Sequence, residues 1–283
     1  MAGRTRKIIS AVMAALMIMT AGGCGSSNKD IPSSADNSRY ISETKDNGNV
    51  TDGKEYDIDN GGLPYDEETV YNQLFDINNK VEIDVDISDD ELAKMQSDYD
   101  RYDNMGSKSP IYRKCDLKIS ITSDGVKNTY IIRNTGIRMK GNTSRTAFYD
   151  SNSGVYSLIH FKVDFTETFD DEQYYGGDSD YDLDIDKEKQ QNRTFATLDS
   201  MEIKWNQTSD STYVREYYTC EMYRDFGILA QRTNLASINL GDVHEGIFKI
   251  YEPVDKKFIK RFVAKEDCGG DLYKCGWTRN GAT

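Results

Sequence analysis

Residues 81–87 alternate strictly, with Val81, Ile83, Val85 and Ile87 on one face and acids on the other. A period of two predicts a half-buried strand. Ser88-Asp89-Asp90-Glu91 follows as a capping box and opens a helix to about Tyr99. Residues 112–122 predict a second strand, with Cys115, Leu117, Ile119 and Ile121 inward. Asp124-Gly125 is a hairpin turn, and 129–139 return. Residues 155–165 form another expected strand, and 194–205 hold a short one at 200–205. The strongest helical signal is 212–226, capped by Asp210 or Ser211. Val214, Tyr218, Met222 and Phe226 recur every four residues there, and Tyr217 widens the stripe. Gly227 stands where a helix-ending glycine belongs. Residues 235–240 and 246–251 predict a hairpin around Gly241-Asp242, and 256–263 a last helix. There are no internal repeats. The sum is an α+β domain: a mixed, mainly antiparallel sheet with two or three packed helices.

The first 23 residues read as an export signal rather than as part of the fold. Arg4, Arg6 and Lys7 form a positive start, 8–20 is apolar, and Ala21-Gly22-Gly23-Cys24 is a small-residue cleavage site. The apolar run is too short to favour a membrane span. Cys24 predicts a bacterial lipoprotein, cleaved before that residue and lipidated on it, although Ala21 replaces the usual Leu. The alternative is an ordinary secretory signal. Both place the protein outside the cytoplasm, and the first places it on the cell surface, anchored to the membrane through Cys24. Residues 24–77 are polar and rich in Ser, Asn, Asp and Gly, as expected of a flexible tether. The folded domain is then expected over 78–283, about 200 residues and enough for one core.

The chain carries a net charge of −13, and removing the three basic residues of the signal takes it to −16. Such a chain repels nucleic acid and anionic lipid, and favours basic proteins or metal ions as partners. Beyond Cys24 four cysteines remain, Cys115, Cys220, Cys268 and Cys275, which an exported protein can oxidise to disulfides. Without a C-x-x-C, and with His160 and His244 alone, a zinc site is not expected.

Four pieces, in order, resemble the spore coat protein H (CotH) kinase family. They are G-I-R-M-K-G-N-T-S-R at 136–145, H-F-K-V-D-F at 160–165, the capped helix with Val214-Arg215-Glu216 ending at Gly227, and G-I-F-K-I-Y-E-P-V-D-K-K-F at 246–258. Together they span about 81–263. The resemblance implies the first lobe of an atypical secreted protein kinase that uses ATP and a divalent metal such as Mg to phosphorylate serine on extracytoplasmic proteins, with a basic, serine-rich protein as the substrate. The family's catalytic aspartates lie in patterns like D-G-x-x-x-N and W-D-x-D, neither of which occurs here. The expectation is an incomplete and inactive kinase domain, truncated on its C-terminal side, with no catalytic and no metal-binding residue of its own.

Phosphoryl transfer needs cations on the phosphates. Lys162 sits mid-strand between Phe161 and Val163 at the family's basic position, and would reach a cleft if those neighbours face the core. Glu216, on the strong helix, or Glu252, at a strand end before Pro253, would orient it. Arg138, Lys140 and Arg145 flank Gly141-Asn142 and would cover phosphates. Each also has a plain reading, Glu252 as a cap of the following helix and the others as solvated surface charges. Asp225-Phe226-Gly227 spells a kinase metal motif, but it ends a helix and no H-R-D precedes it, so it is read as a helix stop. Asp178–Asp186 has Asp at alternate positions without a calcium loop's Gly and Glu. It is read as a solvated acidic insertion, with weak ion binding as the alternative. The 19 tyrosines sit mostly in periodic segments and are read as packing. The rival reading is a non-enzymatic surface adhesin, scaffold or glycan-binding lipoprotein.

Overall fold

The computed structural model describes residues 50–59, 65–141, 145–150, 155–206, 210–241 and 244–273, and the backbone of 277–278 and 281–282. The expected signal segment, Cys24 and Cys275 lie outside the described residues. Among the described residues no helix is long and apolar enough to cross a membrane.

The main sheet has eight strands: β1 Thr51–Asp57, β2 Lys80–Asp86, β3 Arg113–Ser123, β4 Val126–Lys140, β7 His160–Asp164, β8 Ser200–Trp205, β9 Thr233–Leu240 and β10 His244–Tyr251. Their order is β1-β4-β3-β2-β9-β10-β8-β7, and β7 pairs back onto β4. Seven strands therefore close into a barrel, with β1 added outside on β4. The β1–β4 and β2–β9 pairs are parallel and the others antiparallel. A minor pair joins β5 Tyr149–Asp150 to β6 Val155–Tyr156. The expected strand at 155–165 is thus two strands with different partners. Among the described residues six helices accompany the sheet: α1 Glu67–Leu74, α2 Asp89–Asn104, α3 Glu172–Tyr175, α4 Lys187–Gln191, α5 Arg215–Asp225 and α6 Lys256–Phe262. The expected mixed sheet is present but larger and closed on itself, and a closed barrel does not by itself identify a kinase lobe.

Alternation sends one face of each strand into the barrel. Ile83, Ile119, Ile132, Phe161, Val163, Met201, Ile203, Ile238 and Ile250 are fully buried there. Closure depends on a bulge in β4. Between Cys115 and Leu117 the register slips, so Arg133 and Asn134 stand against Asp116 alone. Asn134 takes a left-handed φ of 47°, and its N–H donates to Asp116 Oδ1 at 2.8 Å. The kink lets one edge of β4 serve two neighbours, β1 along 126–131 and β7 along 136–140. The carbonyls exposed at this corner are met by the buried Arg193, which donates to Phe165 O at 2.7 Å, Arg133 O at 2.6 Å and Asn134 O at 3.1 Å, and to Asp59 at 2.6 Å. Gly136, just beyond, has no room for a side chain: a Cβ there would lie 2.9 Å from Glu167 Cβ and 3.0 Å from Tyr112 Cβ.

Several expectations need correction. The stretch to residue 77 is not all tether. β1 extends the sheet, and α1 buries Val70, Tyr71 and Leu74 after an N-cap at Asp66. α2 runs five residues past Tyr99. α5 begins at Arg215 rather than 212, although the Asp210 carboxylate still accepts Arg215 N–H at 3.1 Å. Its stripe does not enter the core: α5 buries no residue, and Tyr218 and Phe226 are exposed. Its end is as expected. Gly227, at φ 73°, donates to Arg224 O, and Ile228 donates to Tyr223 O, a Schellman stop that removes the metal-motif reading of Asp225-Phe226-Gly227.

The acidic insertion is only partly solvated. Tyr181 is buried with Ile111, Phe169 and Tyr175, and its hydroxyl meets Glu91 and Arg113. Arg113 in turn grips Asp98 with two nitrogens, at 2.8 and 2.9 Å. Packing is the tyrosines' main use elsewhere too: Tyr56 stacks on Tyr130 at 5.2 Å. Cys115, Cys220 and Cys268 are free thiols.

Candidate functional site

The outer face of β4, β7, β8 and β10 carries charge in two cross-strand rows. Pairing sets Lys140 beside His160 and Arg138 beside Lys162. It also sets Lys162 beside Glu202, Glu202 beside Tyr251, and Lys204 beside Lys249. Phe161, Val163, Ile203, Phe248 and Ile250 point into the barrel, so the residues between them point out. Lys162 therefore faces away from the core, as its position between Phe161 and Val163 requires.

Each predicted residue has a definite partner. Lys162 Nζ lies 3.2 Å from Asp164 and 5.8 Å from the centre of the Tyr112 ring. Burial works against its charge, but Tyr112 and Asp164 more than restore it and raise its pKa. Arg138 donates to Ser109 O at 3.1 Å and lies 4.9 Å over Tyr112, leaving a buried Nε without a partner. Lys140 forms an ion pair with Glu202. Arg145 donates to Ser107 O at 2.7 Å and lies 3.7 Å from Asp103, so it is tied to the last turn of α2 and the segment after it. The tip of the expected phosphate-covering turn, 142–144, lies outside the described residues.

The two candidate glutamates do not orient Lys162. Glu216 accepts from Lys249 at 2.8 Å and from the Tyr251 hydroxyl. Burial pushes its carboxyl up, yet these two donors hold it below its ordinary pKa. Glu252 is buried. It takes hydrogen bonds from Tyr71 Oη at 2.9 Å, Arg232 N at 3.4 Å and the Arg261 guanidinium. Burial, opposed by Arg261, raises its pKa. Glu252 thus joins α1, the start of β9 and α6 rather than facing the basic surface.

Lys204, Lys249, His160, Glu202 and Tyr251 escaped the sequence reading. Lys249 alternates with Phe248 and Ile250, and Lys204 with Ile203 and Trp205, so their outward direction was readable. Their nearness to Lys162 depends on sheet order, which was not. His160 is 8% exposed, and burial, helped by Lys204, drives its pKa down to about 4. It is neutral at pH 7.

A divalent metal does not fit this face. Among the described residues, the carboxylates of Asp90, Glu91 and Asp180 converge to within 4.8 Å elsewhere, where α2 meets the acidic insertion. The Lys94 ammonium already stands among them, 2.9 Å from Asp90, 3.4 Å from Glu91, 3.0 Å from Asp178 and 2.9 Å from Asp180. Two concavities, one under 168–187 and one beside 186–194, are also lined by other residues. The basic face is built of half-buried and buried side chains, with the carboxylates of Asp164, Glu202 and Glu216 set among its cations.

Residues 137–282, from the second half of β4 onward, match the family model described as CotH kinase protein. No curated protein matches the chain. The family match spans just over half of the 283 residues, and the chain belongs to the CotH kinase protein family.

Proposed function

We propose that this chain provides the phosphate-holding surface of an exported protein kinase that transfers the γ-phosphoryl group of ATP to serine on extracytoplasmic proteins. One observation carries the reading. In a chain of net charge −13, the cations Arg138, Lys140, Lys162, Lys204 and Lys249 gather on adjoining strands inside the family match. A triphosphate needs such a surface. Lys162 and Arg138, side by side on β7 and β4, are the residues that would grip it. The described acidic cluster is filled by the Lys94 ammonium.

The family's aspartate patterns are absent from these 283 residues, so ATP binding without transfer is the expected behaviour of this stretch. Calorimetric titration with ATP tests it. Lys162→Ala should weaken binding at least tenfold, the value of a charge-assisted contact of about 1.5–3 kcal/mol. Wild-type protein that shows no binding at millimolar ATP sinks the proposal. Export and lipidation at Cys24 belong to the same reading. Cys24→Ala should move the protein from the detergent phase to the aqueous phase, and equal partitioning of the two would remove the anchor.

A further inference from the structure

Lys140, His160, Lys204 and Lys249 form one row of the basic face, on β4, β7, β8 and β10. The row is incompletely satisfied. Lys204 has no carboxylate partner among the described residues, and its ammonium rests 3.9 Å from the centre of the Tyr251 ring. His160 is more than nine-tenths buried, and its Nδ1 has no hydrogen-bond partner. Its low pKa makes it a neutral group at pH 7, able to offer an N–H without adding charge.

Three carboxylates of the chain already serve this row: Glu202 pairs with Lys140, and Asp210 and Glu216 with Lys249. Glu216 Oε2 takes Lys249 at 2.8 Å together with the Tyr251 hydroxyl. Lys249 is 8% exposed and lies 3.7 Å from Asp210 as well. The carboxylate is held loosely by comparison. The Glu216 side chain is 49% exposed, and α5, from which it projects, buries none of its residues. Leaving the row therefore returns Glu216 to water without opening a core.

We propose that this row is an oxyanion subsite for a phosphate-class ligand, with Glu216 as an internal stand-in that the ligand displaces. A phosphate-type group brings more charge and more acceptor oxygens than one carboxylate. It can take Lys249 and Tyr251 from Glu216 while engaging Lys204 and His160 Nδ1. Binding there releases the first turn of α5 from β10, so occupancy and the position of α5 are linked. The inference rests on the phosphate-binding reading of this face and adds both the second row and its built-in competitor.

The test is calorimetric titration of the full chain with inorganic tripolyphosphate at low ionic strength. Glu216→Gln removes the competing charge and should bind about tenfold tighter than wild type. Lys204→Ala should bind about tenfold weaker. Lys118→Ala, an exposed lysine on β3, should match wild type. Glu216→Gln binding no tighter than wild type, or Lys204→Ala binding equally well, overturns the proposal. Competition by ATP assigns the subsite to nucleotide phosphates, and competition by a phosphoserine peptide but not ATP assigns it to a phosphorylated protein. If Lys162→Ala abolishes ATP binding while tripolyphosphate ignores Glu216 and Lys204, this inference falls and the kinase reading stands. If ATP does not bind but tripolyphosphate shows the Glu216→Gln gain, the reverse holds.

Discussion

Replacing Glu252 with alanine separates a nucleotide contact from a structural clasp. Its carboxylate is 1% exposed and receives Arg261, Tyr71 Oη and the Arg232 N–H. Glu252→Ala leaves Arg261, itself 14% exposed, as a largely buried charge without its partner. Breaking such a pair costs about 3–5 kcal/mol. It also strands the hydroxyl of the fully buried Tyr71, worth about 1–3 kcal/mol if no water reaches it. These losses share one site and do not add, so about 4 kcal/mol is expected, a large part of a typical domain's 5–15 kcal/mol. With a urea slope of about 2 kcal/mol per molar, the unfolding midpoint should drop by about 2 M. Tyr71→Phe keeps the ring and removes only the hydroxyl, so it should cost about 1 kcal/mol and show coupling to Glu252→Ala in a double-mutant cycle. A loss below about 1 kcal/mol, or a fall in ATP affinity at unchanged midpoint, would refute the clasp and return Glu252 to the nucleotide site.

The barrel corner and the buried histidine are open to the same kind of substitution. Arg193→Met should cost about 3–5 kcal/mol in urea unfolding, because it removes the donor to the carbonyls of Phe165 and Arg133 and the partner of Asp59, while Gln190 still serves Asn134 O. Arg193→Lys should not restore them, since a single ammonium cannot span the fork, and full rescue would refute the corner's account. Gly136→Ala should cost about 1–3 kcal/mol, through the 2.9 Å approach to Glu167 Cβ, and an unchanged melting temperature would contradict it. For His160, the unfolded chain holds the proton up to the ordinary value of 6.5 while the fold sheds it above about 4. The unfolded state therefore binds more protons between those limits, and stability falls as the pH drops from 6.5 to 4, by up to about 3 kcal/mol. His160→Gln should flatten that part of the profile relative to wild type, and an unaltered slope would show that His160 is protonated in the fold.

Local pattern carried much of the fold into view. The alternation at 81–87 became β2, with Val81, Ile83 and Val85 buried, and Asp124-Gly125 became the β3–β4 turn with both residues at positive φ. These features depend on a few adjacent residues. β1 was missed because an outer strand bonded through its backbone needs no apolar face, and Thr-Asp-Gly-Lys-Glu-Tyr-Asp is mostly exposed. The stripe on α5 misled because its period was helical but none of it enters the core: Tyr218 and Phe226 are exposed, and Val214, Tyr217 and Met222 only half-buried. Lys162 was found from its strand neighbours. Its expected pairing with Glu216 failed because register, set by chain segments far apart, placed Lys249 under that carboxylate. Barrel closure was equally hidden, since a two-residue bulge opposite Asp116 leaves no periodic trace.

The attachment of β1 to β4 also has a mechanical side. Tension on the chain ahead of Thr51, directed along that strand, would enter the barrel through backbone bonds lying across the pull. Thr51 to Asp57 would share the load and yield together in shear rather than peel apart one rung at a time. Behind them, Asp57 and Asp59 are bound to Arg133 and Arg193, so the force would end on the guanidinium groups that brace the corner. The strand that looks least necessary to the core is thus placed to act as its strain relief.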